Sequence, residues 1–284
     1  MIAFLNDILF LLPWPWPLVI VVTAMGLIAV LAYLKRSLDA SGAAGAYIMG
    51  VIVLWTMRFE GFLLFLLFFL SCNVVGKISK RLRAGKSPDE VQEKKGTRRD
   101  FMQVMSNGLM TVIAALIWYF TGKVSALIMF GASVAEATSD TFAGEVGRLS
   151  KHNPVSIRDL RPVPKGLSGG VTALGTMGAF LASAMIAVCW YLWFDGVSFA
   201  AASLVCITGF AGAVIDSYLG ACVQAHYIDP DTGMLTEHEQ KNGKALELSR
   251  GIRWVDNDMV NLLSNVFSAV FALGMSALVL EFFS

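Results

Sequence analysis

Twenty of the 22 lysines and arginines fall in alternate breaks between long apolar runs, and few folds satisfy that arrangement. Lys35 and Arg36 follow the first run. Nine cations lie between 77 and 99, five between 148 and 165, and four between 241 and 253. The remaining breaks hold only Arg58 and Lys123. Chains that cross a bilayer repeatedly keep Lys and Arg on the cytoplasmic side. The asymmetry therefore predicts about eight spans, at 15–34, 43–57, 61–76, 101–121, 124–146, 169–194, 197–225 and 258–282. The second and third are short. The expected fold is an all-α polytopic membrane helix bundle, one integral-membrane domain over 1–284, with its active-site cleft open to the cytoplasm. Cytoplasmic loops are expected at about 77–100, 147–168 and 226–257, with both termini outside the cell membrane.

Composition agrees. The chain is 56% hydrophobic and 15% charged, which excludes an ordinary soluble domain. Its start lacks a positive n-region and a cleavage site, so no cleaved signal is expected. Residues 3–12 suit a short surface or half-inserted helix before Pro13, Pro15 and Pro17. Cys72, Cys189, Cys206 and Cys222 lie in apolar segments without metal-type spacing and read as free thiols. Trp14, Trp16, Trp190 and Trp193 suit an outer interfacial belt. The nine-cation loop reads as a topology signal and headgroup surface, and no nucleic-acid partner is expected.

Against this background one stretch is anomalous. EATSDTFAGEVG (136–147) ends a membrane run yet carries Glu136, Asp140 and Glu145. Acids within a bilayer are costly and mark function or a specific partner. Asp140 lies about 10 Å inside the cytoplasmic end of its span at 1.5 Å per residue. The seventh run repeats the theme, with Asp216, Gly220 and Gln224 four residues apart and Ser217 beside the acid. The fourth opens with Arg99, Gln103 and Asn107 at the same spacing. The eighth opens with Asn257, Asp258, Asn261 and Asn265. Interhelical glue accounts for any one of these residues. Four stripes converging at one depth point instead to a cation shared among oxygens, and carboxylate and amide oxygens suit Mg²⁺.

The loop facing these acids carries Lys165, Gly166, Ser168, Gly169 and Gly170 directly before the sixth run. A Gly-rich turn at a helix start offers backbone N–H groups to phosphate oxygens, although the P-loop spacing is absent. Arg98 and Arg99 suit either a snorkelling anchor or the same anion site.

The stretches GTRRDFMQVMSNG (96–108), SDTFAGEVG (139–147), RPVPKGLSGGVTALGT (161–176), GAVIDSYLGACVQ (212–224) and RWVDNDMVNLLSN (253–265) together resemble a known family. It is the integral-membrane domain-of-unknown-function family that includes the plant chloroplast phytyl-phosphate kinase of tocopherol synthesis. The resemblance spans about residues 30–282 and keeps the motif order. It implies a CTP- or other nucleotide-dependent kinase that converts an isoprenoid monophosphate to the diphosphate with Mg²⁺. The lipid tail would lie between helices. By motif, the resemblance assigns catalysis to Asn107, Asp140, Glu145 and Asp216, and metal to Asp140, Glu145, Asp216 and Asp258. From the loop reading and the resemblance together, nucleotide and phosphate are expected at Arg98, Arg99, Lys165, Gly166, Ser168, Gly169, Gly170, Ser217, Gln224, Asn257 and Asn261. Some relatives carry a Cys-bearing insert after the seventh span; here DPDTG (229–233) reads as a hairpin turn, and no zinc is expected. Two alternatives remain: a cation or lipid-phosphate transporter, and a cytidylyltransferase making a CDP-activated lipid.

Overall fold

A computed structural model describes residues 1–84, 98–241 and 243–282. Lys86, Lys94 and Lys95 of the predicted 77–100 loop lie outside the described residues. Among the described residues eight helices appear in order: α1 (Ile2–Phe10), α2 (Trp16–Leu34), α3 (Ala40–Arg83), α4 (Phe101–Thr121), α5 (Val124–Gly147), α6 (Ala173–Trp193), α7 (Phe199–Cys222) and α8 (Asn257–Phe282). Among the described residues, six of them, α2, α3, α4, α6, α7 and α8, are long and apolar enough to cross a membrane.

The two predicted short spans form one 44-residue helix interrupted at Arg58, where φ is 53° and ψ is −157°. The chain reverses there. Leu38 forms a bridge with Arg99, and Cys72 interacts with the Arg99 side chain. A straight helix would hold positions 42 and 72 about 45 Å apart. Helix α1 braces the reversal. Asn6 Nδ2 donates to both Glu60 carboxylate oxygens at 2.7 and 2.9 Å, and Asn6 Oδ1 accepts from Phe59 N–H. The Arg58 guanidinium lies 4.5 Å from the Phe10 ring centroid. Arg58 and Glu60, the charges at this turn, therefore serve the turn itself.

Helix α5 is the axis of the bundle, packed by α3, α4, α6, α7 and α8. Every residue from Ala126 to Ser139 is buried. Small side chains permit this enclosure, since van der Waals packing drives helix association in lipid. A Cβ at Gly131 would meet the Trp190 indole at 2.9 Å, and one at Gly209 would meet Ala135 Cβ at 2.5 Å. Enclosure accounts for the deepest acid of this span: Glu136 lies within the Ala126–Ser139 stretch that protein surrounds.

Trp190 departs from the expected interfacial belt. It is fully buried, and its indole N–H donates to Leu127 O at 3.1 Å. A buried indole needs an acceptor, and the α5 backbone supplies one. Trp14 and Trp16 are exposed, as expected. All four cysteines are free.

At the basic end, segment 37–39 clips onto the start of α4. Arg99 N–H donates to Ser37 O and Asp39 N–H donates to Arg99 O, both at 3.1 Å. Asp39 then caps α3 through Gly42 N–H at 2.8 Å, a contact that, with the Ser41 hydroxyl, holds its carboxyl below the usual range. Asp100 and Gln103 form a reciprocal capping box on α4. Gln103, one third of the predicted α4 stripe, is thus engaged in starting its own helix. Beyond α7, strands His226–Ile228, Leu235–Thr236 and Glu247–Arg250 make a small antiparallel sheet. Its first hairpin turns at 229–233 as expected: Asp229 N–H donates to Met234 O, and Gly233 takes φ +68°.

Candidate functional site

Asp140 of α5 and Asp216 of α7 come together at the basic end, their carboxyl groups within hydrogen-bonding reach of each other. Asp216 is buried and Asp140 half-buried. Asn261 of α8, with its amide nitrogen turned toward the acceptors, donates to Asp216 Oδ2 and to Asn257 O, each at 3.1 Å. Arg99 lies close enough to act on Asp140 electrostatically. Two carboxylates this close require a shared proton or a cation between them.

Glu136, one turn deeper, has a different environment. Ser264 Oγ donates to its Oε1 at 2.7 Å and stands 3.1 Å from Asp216 Oδ2. Asn265 Nδ2 donates to Glu136 Oε2 and, at 2.9 Å, to Ser133 O. Ser133 Oγ donates to Asn265 Oδ1 at 2.7 Å and meets Thr111 Oγ1 at 2.8 Å. This chain ties α4, α5 and α8 together. Both oxygens of Glu136 are engaged by the protein, whereas the Asp140–Asp216 pair lies at the end of the chain that faces the basic loops.

Glu145 does not join the pair in any described contact. Its carboxylate lies beside Gly76 and 3.7 Å from an Arg83 nitrogen. Asp258 is buried in the first turn of α8, where a negative charge suits the helix dipole. Asn107 lies on the α3-facing side of α4, its amide donating to Gln103 O at 2.9 Å. Arg98 is exposed. Ser217 is half-buried beside Asp216. Among the described residues, no three His, Cys, Asp or Glu side chains converge as a metal cage. The Asp140–Asp216 pair nevertheless fits Mg²⁺ held on a nucleotide, because that ion takes one or two carboxylates and completes its shell with phosphate oxygens and water.

The Gly-rich loop packs against the same region. Gly169 takes φ +83°, and a Cβ there would lie 2.5 Å from Ala221 Cα and N on α7. Ser168 is the hub. Gln224 Nε2 donates to its Oγ at 3.1 Å, and Asn257 Oδ1 lies 3.4 Å away. Asn257 and Asn261 are one turn apart, so α8 links the loop to the acid pair. Lys165 Nζ donates to Ser150 O at 2.8 Å, and Gly170 N–H donates to Leu167 O at 3.1 Å. Gly166 is a left-handed turn residue with φ +84°.

One participant was absent from the sequence reading. Glu237 Oε1 accepts from Ser168 N–H at 3.0 Å and from Ser168 O–H at 2.6 Å. In this structure the Ser168 donors, expected to meet phosphate, are instead taken by a carboxylate 69 residues away. No local pattern marks Glu237, which lies in an ordinary polar loop. Ser264 was more accessible: it follows Asn261 by three residues on one helix face.

Gly169→Val should detach this loop from α7, because both the positive φ and the Ala221 contact forbid a branched side chain. Limited proteolysis is expected to cut the 150–170 segment much faster in the variant than in wild type. Equal rates would show that the close approach is dispensable.

Comparison with known sequences adds the following. A family profile described as Integral membrane protein DUF92 matches residues 23–269. An uncharacterized membrane protein of Methanocaldococcus jannaschii is 35% identical over 189 residues, 66% of this chain and 75% of its own. Protein PGR of Arabidopsis thaliana is 28% identical over 277 residues, 87% of this chain and 92% of its own. The chloroplastic protein VTE6 of the same plant is 25% identical over 252 residues, 87% of this chain and 68% of its own. No solved structure matches the chain.

Proposed function

The chain belongs to the DUF92 family of integral membrane proteins, and we propose that it is a membrane-embedded, Mg²⁺-dependent kinase acting on an isoprenoid monophosphate. The nucleoside triphosphate is CTP in preference to ATP, and the basic loops face the cytoplasm. The observation that carries this reading is the Asp140–Asp216 pair, set between Arg99 and the Gly-rich loop. The isoprenoid class of acceptor and the preference for CTP come from the motif resemblance, with VTE6 among the relatives.

In the proposed reaction an oxygen of the lipid phosphate attacks the γ-phosphorus of the nucleotide. A P–O bond forms there as the bond to the β,γ-bridging oxygen breaks, and nucleoside diphosphate leaves. The acceptor is already an ionised phosphate and needs no strong base. Phosphoryl transfer asks the protein chiefly for position and charge neutralisation. Mg²⁺, when bound, offsets charge on the phosphate oxygens. Asp140 and Asp216 would hold it, Asn261 would orient Asp216, and Arg99 would face the transferred group. Ser168 would receive a phosphate oxygen in place of the Glu237 carboxylate. Lys165, with two ammonium hydrogens beyond its Ser150 contact, would reach the same phosphates.

The test is incubation of purified protein with phytyl or geranylgeranyl monophosphate, Mg²⁺ and CTP or ATP, with products read by mass spectrometry. Diphosphate lipid is expected. A CDP-lipid would assign a cytidylyltransferase, and no product together with no nucleotide binding would favour transport. Lys165→Ala should weaken CTP binding by about one to two decades, the loss of a charge-assisted contact of roughly 1.5–3 kcal/mol. Unchanged binding would remove Lys165 from the site.

A further inference from the structure

The segment that follows α7 and covers the Gly-rich loop has two parts, a clamped root and a lightly held tip. At the root, Ala225 N–H donates to Val255 O and Ile252 N–H donates to Val223 O, both at 2.9 Å. Gly251 takes φ +83° and lies so close to Gln224 that a Cβ there would strike its carbonyl oxygen. Ala225, Tyr227 and Leu246 form a small buried core. The tip, residues 228–245, differs: none of its described residues is buried. It is stiffened from within, because Lys241 Nζ donates to both Asp229 oxygens at 2.8 and 2.7 Å and pairs with Asp231 at 2.8 Å. Its strand Leu235–Thr236 adds only two residues to the edge of His226–Ile228. A unit with so little buried surface opens far more readily than the fold as a whole.

Glu237 belongs to this tip and fastens it to the Gly-rich loop. Its Oε1 takes both donors of Ser168, the N–H at 3.0 Å and the O–H at 2.6 Å. A backbone N–H and a hydroxyl aimed at one charged oxygen are the contacts a turn offers to an oxyanion. The surroundings suit an anion as well. His226 of the root lies beside both Ser168 and Glu237, and Arg250 Nε stands 3.4 Å from His226 Nδ1. Gln224, 2% exposed, donates to Ser168 Oγ, while its own Oε1 has no hydrogen-bond partner among the described residues. Buried acceptors are nearly always met, so the closed arrangement is incompletely satisfied. A negative charge that the chain itself carries therefore fills the place of a bound oxyanion.

We propose that Glu237 is a tethered competitor for phosphate and that the tip it fastens is a strap, closed in the empty protein and released when a phosphate oxyanion takes Ser168. The identity of that phosphate, nucleotide or lipid, rests on the kinase reading. A tethered carboxylate acts at a high effective concentration, so it keeps carboxylates in solution away from the loop. A phosphate group brings more charge and more acceptor oxygens than a carboxylate and wins the exchange. Glu237 thereby sets a threshold that a ligand must exceed before the loop accepts it. Asn257 Oδ1, 3.4 Å from Ser168 Oγ, lies on the same helix as Asn261, so release of the strap is felt on the side of the acid pair.

The experiment uses the whole protein in nanodiscs with Mg²⁺ and inorganic pyrophosphate as the probe, and binding is read by calorimetry. Glu237→Ala and the near-isosteric Glu237→Gln should each bind pyrophosphate at least about tenfold more tightly than wild type, which binds only in the fraction with its strap open. A carboxylate that merely shapes the loop predicts the reverse, weaker binding in both variants. In wild type, pyrophosphate should speed hydrogen exchange across 235–241 while the Ser168 amide stays protected, now by phosphate. Mg²⁺–CTP and geranylgeranyl monophosphate, added separately, distinguish the two sources: the ligand that speeds exchange across 235–241 is the one that takes Ser168. Unchanged or weaker pyrophosphate binding in both variants would overturn the strap, and so would exchange across 235–241 that stays level or slows with all three ligands. Tighter binding by the variants without phosphoryl transfer to lipid would refute the kinase reading and leave the strap standing. Transfer with pyrophosphate binding unchanged by the variants would refute the strap alone.

Discussion

Asp140→Asn and Asp216→Asn should each reduce phosphorylation of an isoprenoid monophosphate by about 100- to 1,000-fold or more, with the protein still inserted and folded. Each substitution keeps the shape of the side chain and removes one negative charge from the Asp140–Asp216 pair. A metal-bound nucleotide loses a ligand, and the charge that builds up in transfer loses its counter-ion. Glu136→Gln provides the contrast. Its oxygens already accept from Ser264 and Asn265, so an amide there should leave most of the turnover. Turnover with phytyl monophosphate at saturating Mg²⁺ distinguishes the cases. Near-normal rates for both aspartate variants would make the pair structural.

Asn265→Leu is expected to cost about 2–5 kcal/mol of stability, because each buried hydrogen-bonding group left unsatisfied costs about 1–3 kcal/mol. Asn265 is fully buried and bonds Glu136, the Ser133 hydroxyl and the Ser133 carbonyl. Leucine matches its shape approximately and satisfies none of the three. The carboxylate of Glu136 would keep only its Ser264 contact in the middle of five packed helices. Unfolding by a denaturing detergent in mixed micelles measures the effect, with the half-buried Ser203→Ala as the reference. Identical unfolding of Asn265→Leu and wild type would mean that packing alone holds α5 and α8 together.

These two expectations separate groups that look alike as letters. Glu136, Asp140 and Glu145 are three acids on one helix, yet one joins a closed hydrogen-bond chain, one meets Asp216, and one turns to Arg83. Gly212 takes part in the sorting, because a Cβ there would meet Glu136 Cγ and push α7 away from α5.

What the sequence by itself determined was where the long apolar helices lie, six of which are long and apolar enough to cross a membrane among the described residues. Lipid sets the length and polarity of any segment that crosses it, and these are local properties that a linear reading recovers. The helices began and ended close to the expected positions for that reason, and α4 matched at both ends. Tertiary structure alone decided rotation and partnership. Hydropathy reports a helix face only against a lipid or solvent background, and α5 has protein on every side along Ala126–Ser139, so nothing in its pattern orients it. The same holds for Trp190, drawn inward by a carbonyl of α5, and for Gln103, engaged in capping its own helix. Glu237 reaches Ser168 across 69 residues because the small sheet after α7 folds back over the Gly-rich loop, a contact set by three-dimensional packing and invisible to spacing.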